Sequence, residues 1–191
     1  VPTVQTLNLL IAGAAQHGDL TTAGKWFQRG VTAGIQPDVN TFNTLINAAA
    51  KKGDLIAAEI WYEKAILTKG FKSDDVTFVT LIRAAARKSD LRSAEHWFQQ
   101  AEQEKVSVTV STFNAVIAAA ARTGDLAAAE EWFHRAEKAG VTPNVVTYTT
   151  IINAAARGGN STSAERWYER ALAMGLEPNI VTFTSLINAA V

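Results

Sequence analysis

The chain repeats one pattern of apolar and polar positions every 35 or 36 residues. In each copy a tryptophan is followed at once by Phe or Tyr, at Trp26-Phe27, Trp61-Tyr62, Trp97-Phe98, Trp132-Phe133 and Trp167-Tyr168. A second apolar series keeps the same spacing, at Leu7, Phe42, Phe78, Phe113, Tyr148 and Phe183. A fixed period of this length is typical of stacked helical repeats whose units bury a continuous core. We predict that the tryptophans pack in this core and do not stack on a ligand.

Each copy is predicted to contain two helices. In the segment 41–51, Phe42, Leu45 and Ile46 fall on one helical face. A glycine suited to a helix end follows in four copies, and the next residue can cap a second helix that carries the tryptophan. These glycines are Gly18, Gly53, Gly124 and Gly159, and Ser89 takes their place in the third copy. Runs of three alanines in the first helices favour a tightly wound solenoid.

The period divides the single array 1–191 into five units and part of a sixth. Their predicted bounds are 4–38, 39–74, 75–109, 110–144, 145–179 and 180–191. The partial unit would leave apolar Phe183, Leu186 and Ile187 uncovered, whereas terminal repeats normally carry a polar outer face. We therefore expect either that the sequence is a fragment of a longer array or that a partner covers this end.

Composition excludes several function classes. The 191 residues contain no cysteine, which excludes disulfides, thiolate metal sites and cysteine nucleophiles. No apolar run approaches the roughly 20 residues that cross a bilayer, and the first ten residues do not resemble a signal peptide. The 18 basic and 18 acidic residues give a formal net charge of zero. A nucleic-acid-binding role therefore requires that the two signs lie on different faces.

The sequence offers no constellation for catalysis or metal binding. His17, His96 and His134 fall at three different phases of the repeat, so they predict no ligand cluster. We find neither a nucleophile beside a base nor a glycine-rich phosphate loop. The chain is therefore predicted to be no enzyme and to bind no metal, cofactor or small-molecule substrate.

Several segments resemble the pentatricopeptide-repeat family over essentially the whole chain. They are VVTYTTIINAAARGGN and AERWYERALAMGLEPN within Val145 to Asn179, NTFNTLINAAAKKGD from Asn40, and STFNAVIAAAARTGD from Ser111. The unit endings at Pro37, Pro143 and Pro178 differ from tetratricopeptide repeats, although the tryptophans depart from the family's usual aliphatic residue. The resemblance implies an all-α, right-handed superhelical solenoid whose first helices line a concave groove. It also implies that each unit faces one nucleotide of single-stranded RNA.

In the family, two residues per unit select the base: the residue after the first-helix aromatic and the last residue of the unit. The pairs carried over to this chain are Asn8 with Asp38, Asn43 with Asp74, Val79 with Thr109, Asn114 with Asn144, and Thr149 with Asn179. By the family's code they resemble readers of U, U, an unassigned base, C (U as second choice) and A, from 5′ to 3′. Because Val79 has no polar group, the third unit is expected to be degenerate.

Two further sets of residues accompany these base-reading positions. The residue that wedges against a base is usually aliphatic in the family, and Val76, Val146 and Val181 fit, whereas Gln5, Asn40 and Ser111 do not. Eight residues after the reading positions, four of five units carry a basic side chain predicted to contact phosphate: Lys51, Arg87, Arg122 and Arg157. The alternative for this basic stripe is that it complements the helix dipole. The acids Glu59, Glu95, Glu130 and Glu165 recur on second helices, on the expected outer surface.

These residues together predict sequence-specific binding of single-stranded RNA. The alternative is a protein-binding scaffold subunit of an organellar ribosome or another large assembly, which the neutral charge and the small number of repeats favour. Base-reading residues in phase with a basic stripe favour RNA binding over the scaffold role, because a protein scaffold does not require that pairing. The resemblance implies a mitochondrion or plastid, with a role in RNA processing, stability, editing or translation, and no membrane partner.

Overall fold

The computed structural model describes residues 2–68, 70–177 and 180–189, and over these residues it contains only helices and their connections. First and second helices alternate along the chain, which confirms the predicted all-α solenoid of helix-turn-helix repeats. The first helices are α1 (Val4–Gln16), α3 (Val39–Lys52), α5 (Asp75–Arg87), α7 (Val110–Thr123), α9 (Val145–Arg157) and α11 (Ile180–Ala189). The second helices are α2 (Leu20–Thr32), α4 (Leu55–Ile66), α6 (Leu91–Gln103), α8 (Leu126–Lys138) and α10 (Ser161–Ala173).

Helix starts are set by capping side chains at a constant place in the repeat. Asp38 and Asp74 precede first helices and accept the backbone N–H three residues on, at 2.8 Å in both. Asp54 and Asp125 do the same before second helices, at 3.0 and 2.9 Å. Such a cap is worth about 1 kcal/mol. The polar residues of the turns therefore fix where each helix begins.

Left-handed residues end the helices where the sequence predicts them. Gly53, for example, has φ 77°, and Ser89 adopts the same region in the third repeat with φ 55°. The second helices end in the same way, and there Lys105 of the third repeat has φ 57°. A side chain in this region costs about 1–2 kcal/mol. The third repeat thus carries this cost at both of its turns.

The helices form two layers. Each first helix packs directly on the next first helix, whereas within the described residues the backbones of successive second helices do not approach one another. Buried alanines, such as Ala84, Ala85 and Ala86, allow the close approach in the first layer. Closely spaced first helices and widely spaced second helices curve the array, so the first helices line its concave groove.

Long side chains bridge the wider gaps of the outer layer. Trp97, Trp132 and Trp167 are buried, as predicted. Their indole N–H groups donate to Glu59, Glu95 and Glu130 of the preceding second helix, at 3.1, 3.1 and 2.7 Å. These three acids lie on second helices, where they are half-buried and bonded between repeats. Glu165 is exposed.

None of the helices built from described residues is long and apolar enough to cross a membrane.

Candidate nucleic-acid interface

The predicted base-reading positions occupy the fifth residue of α1, α3, α5, α7 and α9. Asn8, Asn43, Asn114 and Thr149 are half-buried, whereas Val79 is only 7% exposed. Because all five stand at the same point of equivalent first helices, the solenoid places them in one row along the groove. The row has polar side chains on both sides of one apolar position.

Residues about 30 positions apart in sequence meet in three of the predicted pairs. Asn8 Nδ2 lies 3.1 Å from Asp38 Oδ1, and Asn43 Nδ2 lies 3.3 Å from Asp74 Oδ2. In the fourth unit Asn114 Nδ2 donates to the Asn144 side-chain oxygen across 3.3 Å, and the two remaining pairs behave differently. The residue that caps one first helix therefore also binds the side-chain amide at the base-reading position of the preceding first helix. We call the side-chain amides of Asn8, Asn43 and Asn114 the reading amides.

The remaining predicted pairs are not joined by such a bond. Val79 offers no polar atom to Thr109, whose hydroxyl instead lies 3.4 Å from that of Thr112. Thr149 lies 2.9 Å from the Thr182 hydroxyl, and its predicted partner Asn179 falls outside the described residues.

A buried threonine, which the sequence analysis did not single out, completes each polar pair. The Thr41, Thr77 and Thr147 hydroxyls donate to the side-chain oxygens of Asn8, Asn43 and Asn114, at 2.6, 2.7 and 2.6 Å. These threonines stand three residues after the capping residue, in the first turn of the following first helix. Their recurrence at one phase is visible in the sequence, but it is equally explained by helix capping.

The carboxyl group of the first pair, that of Asp38, is held in its charged form. Burial acts to raise the pKa of Asp38, but hydrogen bonds from the Thr41 amide and hydroxyl and from Asn8 outweigh it, so the pKa lies below its ordinary value. An ionised carboxylate accepts hydrogen bonds and cannot donate them. Asp38 therefore faces the groove as an acceptor at neutral pH.

The predicted wedge residues project from the first helices into solvent. Val76 is 57% exposed and Val146 is 54% exposed, which leaves an apolar surface beside the reading row. The side chain of Val181 lies outside the described part of the chain. Exposed aliphatic side chains of this size offer a base a surface against which to pack.

The basic stripe of Lys51, Arg87, Arg122 and Arg157 is exposed at the C-terminal ends of the first helices. Arg122 and Arg157 line a cavity of about 330 Å³ together with Val146 and Thr149, so they share one stretch of groove with a predicted wedge and a predicted reader. The side chains of Lys51, Arg122 and Arg157 form no hydrogen bond or ion pair with the described residues.

Arg87 differs from the rest of the stripe. Its guanidinium donates to the Lys51 carbonyl at 2.9 Å and to the Ala50 carbonyl at 3.2 Å, both at the end of α3. These bonds satisfy carbonyls that a helix end leaves unpaired. Arg87 thus stabilises the end of a neighbouring helix, which is the role that the dipole alternative assigned to the stripe.

Arg83 is a further groove residue that the sequence analysis did not identify. It follows Val79 by one helical turn and lines a cavity of about 260 Å³ with Arg87, Arg122 and Asn114. No acidic side chain lines that cavity. The sequence could have identified Arg83, because a residue four positions after Val79 lies on the same helical face. The third repeat therefore places two cations, Arg83 and Arg87, in the groove beside its apolar base-reading position.

No cluster of three or more potential metal ligands exists among the residues that the structure describes. The interface therefore consists of hydrogen-bonding amides, carboxylates and hydroxyls, flanked by cations.

Comparison with known proteins identifies the repeat. The model of the "PPR repeat family" matches residues 2–51, 108–157 and 143–191. That of the "Pentatricopeptide repeat domain" matches residues 64–122, and that of the "PPR repeat" matches residues 40–66. Comparison of the whole sequence with curated proteins finds no significant match.

Solved structures share the fold. The pentatricopeptide repeat protein PPR10 of maize, in complex with an 18-nt psaJ RNA element, matches 99% of this chain at 21% identity and a TM-score of 0.66. This chain covers 33% of that protein. The PPR domain of Arabidopsis thaliana protein-only RNase P 1, in complex with tRNA, matches at 15% identity and a TM-score of 0.75, covering 94% of both chains. Arabidopsis thaliana nuclear protein-only RNase P 2 matches 97% of this chain and 41% of its own length, at 12% identity and 0.74. At these identities the likeness establishes the fold.

Proposed function

Because the chain belongs to the pentatricopeptide repeat family, we propose that it binds single-stranded RNA along the groove of its first helices, with about one nucleotide per repeat. The observation that carries this proposal is the row of polar pairs on the concave face, beside the Lys51, Arg122 and Arg157 side chains, which have no partner among the described residues. Splayed bases present donors and acceptors to such pairs, and phosphates attract such cations. Binding without catalysis is the proposed activity.

We propose the order 5′-U-U-N-C/U-A-3′ for the five units. The first two units present an Asn amide beside a carboxylate, from Asp38 or Asp74, and uracil offers an N–H donor that such an acceptor suits. The fourth unit replaces the carboxylate with the Asn144 amide, which can donate to the ring nitrogen acceptor of cytosine. Val79 gives the third unit no means to discriminate by hydrogen bonding. The fifth assignment, through Thr149 and Asn179, rests on the family resemblance.

The setting that we propose is RNA metabolism in a mitochondrion or plastid, because the family resemblance implies it. The candidate processes are transcript processing, stability, editing and translation. Sequencing the RNA that crosslinks to the protein in cells would identify the transcript and test the proposed order of bases.

The change Asn43→Thr tests base recognition directly. It removes the amide and leaves a hydroxyl beside Asp74, a pairing that in the family resembles a reader of G. Since a mismatched hydrogen-bonded base costs about 1–3 kcal/mol, we expect at least a roughly tenfold loss on UUNCA and recovery of most of it on UGNCA. Fluorescence anisotropy with both RNAs and both proteins measures the four affinities.

The control is Asn47→Thr, the same substitution one turn further along α3 and outside the polar pair. It should leave the preference between the two RNAs unchanged, because helix propensity differs little between Asn and Thr. Equal losses on both RNAs for Asn43→Thr would remove Asn43 from the base-reading set.

A second candidate function is protein binding by the outer face of α4. Ile56 and Ile60 of that helix are 70% and 46% exposed, and Leu67, directly after the helix, is 85% exposed. The third repeat carries Arg92 and His96 at the phases of Ile56 and Ile60. An exposed apolar patch confined to one repeat favours contact with a protein partner. This face is opposite the groove, so replacing Ile56 and Ile60 should leave RNA affinity unchanged.

A further inference from the structure

The threonines beside the reading amides occupy a constant and enclosed place. Thr41, Thr77, Thr112, Thr147 and Thr182 have at most 2% of their surface exposed. In three repeats the threonine hydroxyl lies within 2.7 Å of a reading amide oxygen. The same hydroxyls also lie 2.8, 2.6 and 3.2 Å from the side-chain oxygens of Asp38, Asp74 and Asn144, so each is enclosed between the reading amide and the capping side chain.

The second repeat shows why the amide has only one favourable orientation. Asp74 lies beside the Asn43 amide at 3.3 Å, and its carboxylate accepts hydrogen bonds only. The amide nitrogen must therefore face Asp74, and the amide oxygen then faces the Thr77 hydroxyl at 2.7 Å. Turning the amide over would oppose the oxygens of Asn43 and Asp74, and the Thr77 hydroxyl would then keep Asp74, 2.6 Å away, as its only acceptor of the two. Thr77 and Asp74 thus favour the same orientation from two sides.

From this arrangement we infer that Thr77, and Thr41 and Thr147 at the same phase, are positioning residues that determine which end of the reading amide faces the base. The inference rests on the proposed function, since it concerns discrimination between bases. An amide has two N–H groups and two acceptor lone pairs. After its bonds to Asp74 and Thr77, Asn43 keeps one N–H and one lone pair for the RNA. Uracil and cytosine present opposite patterns at their Watson–Crick edges, so a turned amide exchanges the preferred base.

The third repeat provides an internal control for this role. Thr112 stands at the same phase and accepts the Thr109 backbone N–H at 3.2 Å, as a capping residue does. Its repeat has no reading amide, because Val79 is apolar and buried. Replacing Thr112 therefore removes a capping hydroxyl and leaves the orientation of the reading amides unchanged.

The test compares the full chain and its Thr77→Val, Thr77→Ser and Thr112→Val variants on the RNAs UUUCA and UCUCA by fluorescence anisotropy. Valine keeps the shape of threonine and removes the hydroxyl. We expect Thr77→Val to reduce the preference for U over C at the second base about fivefold, the effect of one typical hydrogen bond. Thr77→Ser should restore the preference. Thr112→Val should lower the melting temperature similarly and leave the preference unchanged.

Four outcomes would overturn the inference. A folded Thr77→Val protein with the wild-type preference would contradict it, and so would an equal loss of preference in Thr112→Val, which would indicate general loosening of the groove. If the wild-type chain binds neither RNA, the proposed function fails and the inference with it. If Thr77→Val does not fold, Thr147→Val tests the same role at the fourth base, with UUUCA and UUUUA, and an unchanged preference there overturns the inference.

Discussion

Hydrogen bonds within the protein limit what each reading side chain can offer a base. Asn8, Asn43 and Asn114 each donate one bond to the end of their unit and accept one from the next first helix. Little side-chain entropy remains to be lost when a base binds, because these bonds already fix the rotamers. We therefore expect preferred and disfavoured bases to differ mainly in the rate at which the RNA dissociates.

The third unit is expected to accept any base, since Val79 has no hydrogen-bonding group and is nearly buried. UUNCA should bind with nearly equal affinity whatever base stands at N. Changing Val79→Asn together with Thr109→Asp should create a preference for U of about tenfold, within the usual range for one base contact. Thr112 already lies where the other repeats place their positioning threonine.

Anisotropy titrations with the four RNAs measure this directly. The single change Thr109→Asp is the control and should create no preference, because Val79 still separates the carboxylate from any amide. A wild-type protein that discriminates at N by tenfold or more would contradict the interpretation of Val79.

At the scale of the helix, the sequence predicts boundaries well because capping and left-handed turns depend on neighbouring residues. The turn at Gly53 and the replacement at Ser89 both follow from local chemistry. The sequence did not predict the left-handed backbone conformation of Lys105, since a lysine does not indicate that conformation. It did not predict the bonds of Glu59 and Glu95 to tryptophans either, because they join different helices and depend on the spacing of the outer layer.

The bond between Trp132 and Glu95 predicts a specific loss of stability. Glu95→Ala removes the acceptor of a buried indole N–H, which should cost about 1–3 kcal/mol. Glu95→Gln keeps a side-chain oxygen and should retain most of that stability. Urea unfolding followed by circular dichroism measures the free energies.

Glu165→Ala is the matched control, because Glu165 has the same phase and is exposed, without a hydrogen bond to any described residue. Its free energy of unfolding should change by no more than about 0.5 kcal/mol. Equal losses in the Glu95→Ala and Glu165→Ala proteins would show that the hydrogen bond contributes nothing.

At the scale of the whole molecule, the period of the tryptophans and aromatics predicts the solenoid, because stacking in register is the one way to bury a face that recurs every 35 residues. Pairs such as Asn43 and Asp74 could be chosen from the sequence only through the family resemblance. The role of Thr77 could not, because its contact with Asn43 depends on how far one repeat rotates onto the next.

The basic stripe in the groove predicts how binding depends on salt. If Lys51, Arg87, Arg122 and Arg157 all contact phosphate, the log–log slope of affinity against salt should be about −3, from four contacts at about −0.7 each. Replacing all four by Gln should flatten the slope and leave base preference intact. Binding isotherms between low and physiological salt measure it.

The control replaces four exposed cations of the second helices, Lys25, Arg92, Lys138 and Arg166, by Gln. Net charge changes equally, yet the slope should stay near that of the wild type because these residues lie on the outer layer. An unchanged slope in the groove variant would assign the basic stripe to helix stability, the role that Arg87 already shows at the end of α3.

The threonine beside each reading amide has a consequence for building chimeras from these repeats. Asn43 lies on α3, whereas Thr77 lies within α5, beyond the unit ending at Asp74. A cassette excised between Asp74 and Asp75 therefore leaves the threonine that contacts its own reading amide behind in the donor protein. Crossovers placed between Thr77 and Phe78, and at the same phase of the other repeats, would transfer the amide, the carboxylate and the hydroxyl together. The segment to exchange is therefore offset by three residues from the structural repeat.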